Sequence, residues 1–536
     1  MLTIKDLAFS FGGTVLFEEV NAKFIHGNCY GLIGANGAGK STFLKLLSGE
    51  IEPSAGQIHL ETRKRIAVLR QDQFAFDSFN VVETVLMGHQ ELYRIYSERS
   101  ALYAKTEMTE EEGMRVGELE GIFGEMDGYN AESDAETLLS NLGIDVASQR
   151  KTMGELEAGQ KIRVLLAQVL FGDPDVLLLD EPTNQLDYET CLWLENYLLE
   201  FKNLVIVVSH DRHFLNKVCS HIADVDFKKI HIFTGNYAFW QESTTLMTKQ
   251  RQDQHKKSSE KIQELEAFIR RFSANASKSK QATSRRKLIE KIRPEDLPVS
   301  SRKSPYIRFK SQKPVGESVL TVENICHSIS GQRVLSNVNF SVSKGDKVAI
   351  VGKNTMSKTI LLQILSGEIT PDSGTLKWSD STNLSYFPKD NSQIFNSALG
   401  LLEWLTQFSL VKDPQILRGF LGQMLFSGED VFKKISVLSG GEKARAMFSK
   451  MMAAQSNVLI FDEPTDHLDL ESISSLNDAL EKCGDVMILT SHDFQLLSTT
   501  VNRVIEVSPK GIVDFNLTFE EFNKSPTALE KRALLY

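Results

Sequence analysis

An eight-residue stretch near the start of the chain has the residue types that bind phosphate. Glycines let successive backbone N–H groups turn toward an anion. The lysine at its end would reach the β- and γ-phosphates of a nucleotide, and the serine hydroxyl would bind Mg²⁺. The stretch therefore predicts a phosphate-binding loop. Its residues are Gly34, Ala35, Asn36, Gly37, Ala38, Gly39, Lys40 and Ser41.

The flanking sequence supplies the elements that such a loop requires. An apolar run over residues 29–33 predicts a buried strand, and residues 42–47, which begin with Thr42, predict a helix. The N-terminus of that helix adds a partial positive charge to the loop. Because strand, glycine loop and helix come in this order, a chance glycine-rich turn is the weaker interpretation.

Length and composition exclude several classes of protein. With 536 residues the chain is long enough for more than one domain. No apolar run reaches the ~18 residues of a membrane span, and the first residues open into strand-like sequence, so we expect no membrane segment and no signal peptide. Five scattered cysteines without a CxxC pair argue against structural zinc or a disulfide framework, and we expect a cytoplasmic protein.

The sequence contains an internal repeat. Lys40 matches Lys358 at an offset of 318 residues, and two later motifs recur at an offset of 282. The repeat predicts two copies of one α/β domain. The 36-residue difference between the offsets predicts a helical arm inserted into the first copy, at about residues 87–141. The two later motifs are Asp-Glu-Pro-Thr at 180–183 and 462–465, and Ser-His-Asp at 209–211 and 491–493.

Acidic residues follow buried strands in both copies. Asp180 and Asp462 each end a run of four apolar residues. A carboxylate at the C-terminal edge of a strand beside a phosphate loop typically organises Mg²⁺. Glu181, the next residue, would polarise an attacking water as general base. His210 ends another strand and would contact the γ-phosphate. A lone histidine there is more often structural, but its recurrence after each acidic motif favours a functional role.

A glycine-rich segment begins a predicted helix before the second acidic strand. Ser439, Gly440 and Gly441 would offer a hydroxyl and N–H groups to an anion. Such a short pattern is weak alone. It becomes specific in combination with the phosphate loop, the Asp-Glu pair and the histidine in the same order.

The segment between the two copies, residues 243–317, is basic. Residues 249–313 contain 19 Lys+Arg against 7 Asp+Glu, a net charge of +12, so the remainder of a chain with net charge −10 carries −22. Apolar residues at helical spacing predict a helical hairpin with a basic tip at about residues 273–287. A solvated linker is one interpretation. Contact with a phosphate backbone, structured RNA above all, is favoured by the charge asymmetry.

Together these motifs resemble ABC-type ATPases, and specifically the ABC-F family of tandem cassettes. Residues 268–282 are similar to the linker of that family. The resemblance implies an α/β fold with two P-loop nucleotide-binding domains in tandem, at residues 1–242 and 318–536, joined by the linker. It also implies a monomer whose cassettes pair head to tail, with ATP and Mg²⁺ at two composite sites. Each site takes one cassette's phosphate loop and the other's Leu-Ser-Gly-Gly segment.

The resemblance adds residues to the first composite site. It implies that Phe11 stacks on adenine and that Gln71 contacts Mg²⁺ and water, so the expected metal ligands are Ser41, Gln71 and Asp180. The catalytic pair is Glu181 with His210. The expected ATP-binding residues are Phe11, Gly34, Ala35, Asn36, Gly37, Ala38, Gly39, Lys40, Ser41, Thr42, Gln71, Asp180, Ser439, Gly440 and Gly441.

The second composite site departs from the family pattern. Thr355 and Ser357 replace the two later loop glycines, and we expect strained backbone there, at ~1–3 kcal/mol each. Ile329 replaces Phe11, Lys389 replaces Gln71, and Glu157 replaces the serine of the partner segment. These losses predict one hydrolytic site and one degenerate site, although both sites could still turn over. The degenerate site comprises Gly352, Lys358, Thr359, Asp462, Glu463 and His492.

The resemblance also implies partners. Translation-factor members bind the ribosomal E site, their linker reaches P-site tRNA, and their arm contacts the stalk region; neither DNA nor membrane is expected. Three alternatives stay open: the ATPase subunit of a membrane transporter, a DNA-repair ATPase, which would usually carry zinc modules or long coiled coils, and an antibiotic-protection protein. The expected RNA-contacting residues are Arg270, Arg271, Lys278, Lys280, Arg285, Arg286 and Lys287.

Overall fold

A computed structural model of the chain describes residues 1–61, 64–69, 72, 74–105, 108–184, 186–272, 284, 287–289, 302–466 and 468–535. Within these ranges, none of the helices combines the length and apolar character needed to cross a membrane. The described chain forms two similar α/β cassettes, as the internal repeat predicts, and a long helix follows the first of them.

The first cassette combines a mixed sheet with a smaller antiparallel sheet. The six-stranded sheet has the order β5-β6-β7-β3-β8-β9, parallel except for β9, and the three-stranded sheet has the order β2-β1-β4. The strands are β1 Leu2–Phe11, β2 Thr14–Phe24, β3 Cys29–Gly34, β4 Ala55–Leu60, β5 Ile66–Val68, β6 Val176–Asp180, β7 Leu204–Val208, β8 His221–Asp226 and β9 Lys229–Thr234. The helices are α1 Lys40–Ser48, α2 Val81–Leu86, α3 Gln90–Tyr103, α4 Glu110–Glu125, α5 Ala131–Asn141, α6 Val146–Gln149, α7 Ala158–Leu170, α8 Tyr188–Glu200 and α9 Arg212–Val218.

The second cassette repeats this arrangement. Its sheets have the orders β14-β15-β16-β12-β17-β18 and β11-β10-β13. The strands are β10 Ser318–Ile329, β11 Gln332–Ser343, β12 Lys347–Val351, β13 Ser373–Trp378, β14 Leu384–Phe387, β15 Val458–Asp462, β16 Val486–Thr490, β17 Arg503–Ser508 and β18 Gly511–Phe515. The helices are α11 Thr355–Ser366, α12 Leu401–Thr406, α13 Pro414–Gln423, α14 Gly440–Ala454, α15 Leu470–Glu481, α16 Phe494–Thr500, α17 Phe519–Lys524 and α18 Pro526–Ala533.

The central strands are apolar along their whole length because helices and a second sheet cover both of their faces. All residues of β3 and β7 are buried, and β6 is buried up to Asp180. Such continuous apolar runs are typical of parallel sheets. Since the carboxyl ends of parallel strands meet at one edge, the loops that follow β3, β6 and β7 lie together.

The arm of the first cassette is formed by α3 and α4. The two helices pack against each other, and the Arg99 guanidinium lies 3.9 Å from the centre of the Phe123 ring. Helix α5 packs on α2 and α7, as α13 packs on α12 and α14 in the second cassette. Helices α3 and α4 are therefore the part of the predicted insertion that interrupts the repeat.

The linker begins with helix α10, Tyr237–Phe272, of 36 residues. This length corresponds to about 54 Å at 1.5 Å per residue. The predicted apolar stripe lies on this helix, where Leu265 is buried. Most of the predicted basic tip and second helix lies outside the described residues. Lys287, also predicted to contact RNA, is described and exposed.

Candidate functional site

The two cassettes face each other across a cleft of about 850 Å³. The first cassette contributes its phosphate loop and the ends of β6 and β7, and the second contributes the start of α14. A single site is thus built from both halves of the chain, with the pairing that the resemblance implies. The predicted residues that line the cleft are Phe11, Asn36, Gly37, Gly39, Lys40, Ser41, Thr42, Asp180, Glu181, His210, Gly440 and Gly441.

The first phosphate loop has the backbone conformation that an anion requires. Gly37 and Gly39 have φ angles of 82° and 98°, in the left-handed region that favours glycine. A Cβ atom on Gly39 would lie 3.0 Å from Cζ of Phe17, so the position also excludes side chains on steric grounds. The loop ends where α1 begins, at Lys40. Gly37, Gly39 and the N-terminus of α1 therefore line the cleft together, while the N–H of Ala38 donates to the carbonyl oxygen of Ala35 at 3.1 Å.

Lys40 spans the loop that precedes it. Its Nζ donates to the carbonyl oxygen of Gly34 at 2.8 Å and to that of Ala35 at 3.2 Å. Burial lowers the pKa of Lys40, although the nearby carboxylates of Glu181, Asp469 and other acidic residues oppose this effect. The amine is thus held at the centre of the loop, in position for phosphate oxygens.

Three side chains converge at the ends of β6 and β7. The carboxylate of Asp180 accepts a hydrogen bond from Ser41 at the start of α1. Glu181 has a φ of 51°, a strained conformation for a residue with a side chain. Its Oε2 accepts from the backbone N–H of His210 at 3.2 Å, and its Oε1 lies 3.4 Å from Nε2 of His210. Asp180, Glu181 and His210 therefore lie close together, as the sequence predicts.

Burial determines the protonation of this cluster. Burial raises the pKa of Glu181 to about 8, and the neighbouring carboxylate of Asp180 acts in the same direction. Burial also lowers the pKa of His210 to about 3, helped by Lys40. His210 is therefore neutral at physiological pH, and the carboxyl group of Glu181 titrates close to that pH. Carboxyl groups tuned in this way are typical of general bases.

Several residues of the site differ from the sequence interpretation. Ser439 caps α14, where its Oγ accepts from the backbone N–H of Glu442 at 3.4 Å, while the following two glycines line the cleft. Gln71 lies outside the described residues. Sequence reasoning missed the segment after the second acidic strand, which lines the first site with Thr465, Asp466 and Leu468. Only the repeated Asp-Glu-Pro-Thr motif hinted at it.

In the second phosphate loop, the residues that replace the two later glycines belong to a helix. Helix α11 begins at Thr355, three residues earlier than α1 begins in the aligned loop. The Asn354 side chain accepts from the backbone N–H of Ser357 at 2.9 Å, and the Ser357 hydroxyl donates to the carbonyl of Val334 at 2.8 Å. The expected backbone strain was wrong: neither Thr355 nor Ser357 has a positive φ, because the extra helical turn avoids it.

The second acidic cluster is occupied by cations of the chain itself. The Lys358 ammonium lies 3.8 Å from Oε1 of Glu463, and Nε2 of His492 lies 3.2 Å from the same oxygen. Burial alone would raise the pKa of Glu463, but His492, Lys358 and Lys389 together lower it below its usual value. The carboxylate is therefore paired with Lys358, whereas the corresponding Lys40 in the first cassette donates to the carbonyl oxygens of Gly34 and Ala35.

Protein contacts join the cassettes beside the second loop. Lys353, in that loop, forms a 2.8 Å ion pair with Glu189 of α8 in the first cassette. Tyr188 stacks on Phe494 at 5.8 Å between ring centres and meets the edge of Phe519 at 6.0 Å. Aromatic pairs of this kind contribute about 0.5–1.5 kcal/mol beyond their buried area. This side of the interface is held by side chains of the protein.

Two cassettes with a shared phosphate-loop cleft define a tandem ABC-type ATPase. The chain belongs to the ABC transporter family, and within it to the ABC-F group of tandem cassettes. The family model matches residues 17–184 and 335–466, once in each cassette. A second model with the description ABC transporter matches residues 223–309, which include the linker helix. Membership makes the chain an ATP-binding protein and an ATP hydrolase, as the sequence predicts.

Several relatives match the chain over nearly its full length. The chain is 52% identical to the uncharacterized ABC transporter ATP-binding protein YkpA of Bacillus subtilis over 100% of both chains. It is 45% identical to the probable ATP-binding protein YbiT of Escherichia coli O157:H7 over 98% of this chain and 99% of that one. Among solved structures, archaeal ribosome recycling factor aABCE1, in complex with stalk protein aP1, superimposes with a TM-score of 0.62. That match, at 17% identity, covers 98% of this chain and 92% of the other, and it shows the fold alone.

Proposed function

We propose that this ATPase is a ribosome-associated translation factor that hydrolyses ATP at the first composite site only. It would bind the ribosomal E site, with its linker directed toward P-site tRNA, and act in the cytoplasm. The observation that carries the proposal is the charge division between a linker of +12 and a remainder of −22. A basic projection on an acidic body fits a phosphate backbone better than an acidic protein surface.

The first site has the groups that hydrolysis requires. Lys40 and the loop N–H groups would hold the β- and γ-phosphates, and the exposed ring of Phe11, 72% accessible, would stack on adenine. Glu181 would take the proton of an attacking water. His210, neutral and within 3.4 Å of the same carboxylate, would keep that water aligned.

The same site fits a magnesium ion. The hydroxyl of Ser41 and the carboxylate of Asp180 are hydrogen-bonded to each other beside the phosphate loop. Oxygen ligands of this type are the ones that Mg²⁺ prefers, with phosphate oxygens and water completing the shell. When bound, the ion would offset the charge that develops on the phosphates. Gln71 is proposed as a further ligand on the resemblance.

The second site is proposed to take no Mg²⁺·ATP. Anion binding needs inward N–H groups, but the Asn354 side chain already accepts from the N–H of Ser357 in the rewound loop. Asp462, the counterpart of Asp180, accepts from the Thr490 hydroxyl at 2.7 Å, and Glu463, the counterpart of Glu181, lies 3.8 Å from the Lys358 ammonium. The internal cations replace the charge that metal would bring.

The linker argues for an RNA partner. In the described part of α10, four lysines are exposed with their ammonium groups on a projecting helix: Lys249, Lys256, Lys257 and Lys261. Basic side chains on a helix release counterions when they meet a phosphate backbone. Two solved structures of similar fold bear on the same point: one contains an archaeal ribosome recycling factor, and the other is a ribosome-bound complex of archaeal Pelota and ABCE1.

ATP would control this contact by joining the two cassettes. A ligand that touches the phosphate loop of one cassette and α14 of the other binds the closed state more tightly than the open one. A population shift follows from that difference in affinity, and a 10⁴-fold difference suffices to move a 1:99 equilibrium to 99:1. Closure would order the linker against its target, and hydrolysis would release the protein.

We expect kcat/KM for ATP hydrolysis to rise with pH toward about pH 8. A general base must lose its proton before it can accept one, and burial raises the pKa of Glu181 to about 8. Since kcat/KM reports groups of the free enzyme, it should fall about tenfold per unit below that pH. Initial rates at low ATP from pH 6 to 9 measure this dependence. A flat profile between pH 6 and 8 would contradict it.

The proposal is tested by co-sedimentation of the Glu181→Gln variant with 70S ribosomes, with and without ATP. Salt must be held at a physiological value, because a +12 linker binds any RNA at low ionic strength. We expect the variant to sediment with ribosomes when ATP is present and to stay in the supernatant when it is absent. The variant traps the closed state because it binds ATP without hydrolysing it.

Two further variants separate the possible outcomes. Adding Lys40→Ala to the trapped protein should abolish the ATP-dependent retention, since phosphate binding is lost. Replacing exposed α10 lysines, Lys256→Gln and Lys257→Gln, should weaken retention while ATP hydrolysis stays unchanged. Absence of ATP-dependent retention would remove the ribosome from the top of the list of partners, and co-purification with an integral membrane protein would then support a transporter subunit.

A further inference from the structure

The two ends of the linker meet at one arginine. Arg302, which lies in the C-terminal part of the linker and begins the described range 302–466, forms a 2.5 Å ion pair with Asp224 of β8. Its guanidinium lies 4.5 Å from the centre of the Trp240 ring at the start of α10. The indole Nε1 of Trp240 donates to the same Asp224 at 3.2 Å. The base of the linker is therefore fixed to the first cassette by one compact cluster.

The same guanidinium reaches the second cassette. Nε of Arg302 lies 3.4 Å from Oε1 of Glu471, in the first turn of α15. That helix is capped by Asp469, whose Oδ1 accepts from the N–H of Ser472 at 2.9 Å. Leu468, immediately before the cap, lines the ATP cleft. Only two residues, Asp469 and Leu470, thus lie between the contact with Arg302 and Leu468 in the wall of the first site.

All three charged partners are shielded from water. The side chains of Arg302, Asp224 and Glu471 are 14%, 11% and 17% exposed. Removing one partner of a buried ion pair leaves an uncompensated charge, which is strongly destabilising for the contact. The cluster therefore has a geometry that resists separation of the linker base from α15.

The other end of the chain provides an internal comparison. Arg532, in α18, pairs with Glu506 at 2.5 Å and lies 5.1 Å from the centre of the Phe522 ring. Glu506 and Phe522 are the residues that correspond to Asp224 and Trp240 at the offset of 282. Both cassettes thus end in the same arginine, acid and aromatic arrangement.

The two arrangements differ in what they bridge. Glu471 corresponds to Glu189 in the first cassette, and Glu189 pairs with Lys353 of the rewound loop. Beside the first site, the carboxylate of Glu471 pairs with Arg302 of the linker. A residue of the linker itself therefore makes one of the contacts between the cassettes at α15, where Nη1 of Arg212 also donates to Oγ of Ser474 at 3.3 Å.

We infer that Arg302 is a positioning residue for ATP hydrolysis: it holds the start of α15 against the first cassette and so makes the geometry of the first site depend on the linker. The inference rests on the proposed assignment of hydrolysis to that site. Arg302 does not touch the reacting groups. It acts through Glu471 and the segment that ends at Leu468, and a displaced linker would shift that wall of the cleft.

The test is a double-mutant cycle on kcat and KM for ATP. Arg302→Gln and Glu471→Gln should each lower kcat about tenfold, with KM changed less than about twofold, because closure and alignment are impaired more than phosphate binding. The double variant should be no slower than the slower single variant. Arg302→Lys should recover part of the loss, since the charge is kept and the planar fork is not.

Arg532→Gln is the matched control. It removes the equivalent ion pair of the second cassette, which lines the pocket beside the second loop, so it should lower the melting temperature and leave kcat unchanged. Circular dichroism melts of all variants separate unfolding from misalignment. A kcat for Arg302→Gln equal to that of Arg532→Gln, or additive losses in the cycle, would overturn the inference. Retained hydrolysis in Glu181→Gln would instead overturn the site assignment.

Discussion

Replacing Glu181 by glutamine should lower kcat for ATP hydrolysis by about 10²–10³-fold, whereas Glu463→Gln should change it by less than about threefold. Loss of a positioned general base typically costs 10²–10⁴ in rate. Glu181 has a pKa of about 8 and faces the shared cleft. Glu463 is ion-paired with Lys358 and lies 3.2 Å from Nε2 of His492, beside a loop that has no anion-binding conformation.

Steady-state phosphate release, measured at saturating ATP on both variants, decides between one working site and two. ATP affinity should stay within a few-fold of wild type in each variant, because neither substitution touches the phosphate loop. Comparable losses of kcat in the two variants would show that both sites turn over. The rewound second loop would then have to refold around nucleotide.

The hydrolysis-deficient protein should bind one ATP per chain. Lys40→Ala should weaken that binding about 100-fold, because hydrogen bonds from a charged donor are worth about 1.5–3 kcal/mol. Lys358→Ala should leave affinity and stoichiometry unchanged, since the ammonium of Lys358 is directed at Glu463. Binding of two ATP molecules per chain would contradict the proposal that the second phosphate loop takes no nucleotide.

Calorimetric titration with Mg²⁺·ATP provides the stoichiometry directly. The experiment uses Glu181→Gln as the background for both lysine variants, so turnover does not distort the binding curve. The control is Lys353→Ala, which breaks the 2.8 Å ion pair with Glu189 and should leave one site of unchanged affinity. A shift in the first-site affinity on that substitution would mean that the two ends of the interface are coupled.

Much of this site follows from the sequence because short-range rules govern it. A strand, a glycine loop and a helix can be read from neighbouring residues, and the structure has β3, the loop and α1 in that order. The repeat predicted a second cassette, and the order of sheet strands is the same in both. The acidic residues at the ends of β6 and β15 were predicted from the apolar runs before them.

The rest depends on contacts that no local pattern specifies. Thr355 and Ser357 indicate that the second phosphate loop departs from the glycine pattern. Whether the backbone adopts a strained conformation or forms a helical turn there depends on the hydrogen bonds of Asn354 with Ser357 and of Ser357 with Val334. Arg302 is one of 19 basic residues in residues 249–313, and nothing in its neighbours distinguishes it. Its role emerges only when β8, α10 and α15 are brought together in space.

The matching ends of the two cassettes bear on how such proteins diversify. In the second cassette the chain runs from Phe522 to Arg532 in ten residues, while in the first it runs from Trp240 to Arg302 in about sixty. Both spans close on an acid and an aromatic ring at the same place. Lengthening a closed loop is cheap, at about 0.6 kcal/mol per doubling. Natural selection can therefore alter the reach of the linker while the cassettes keep their fold.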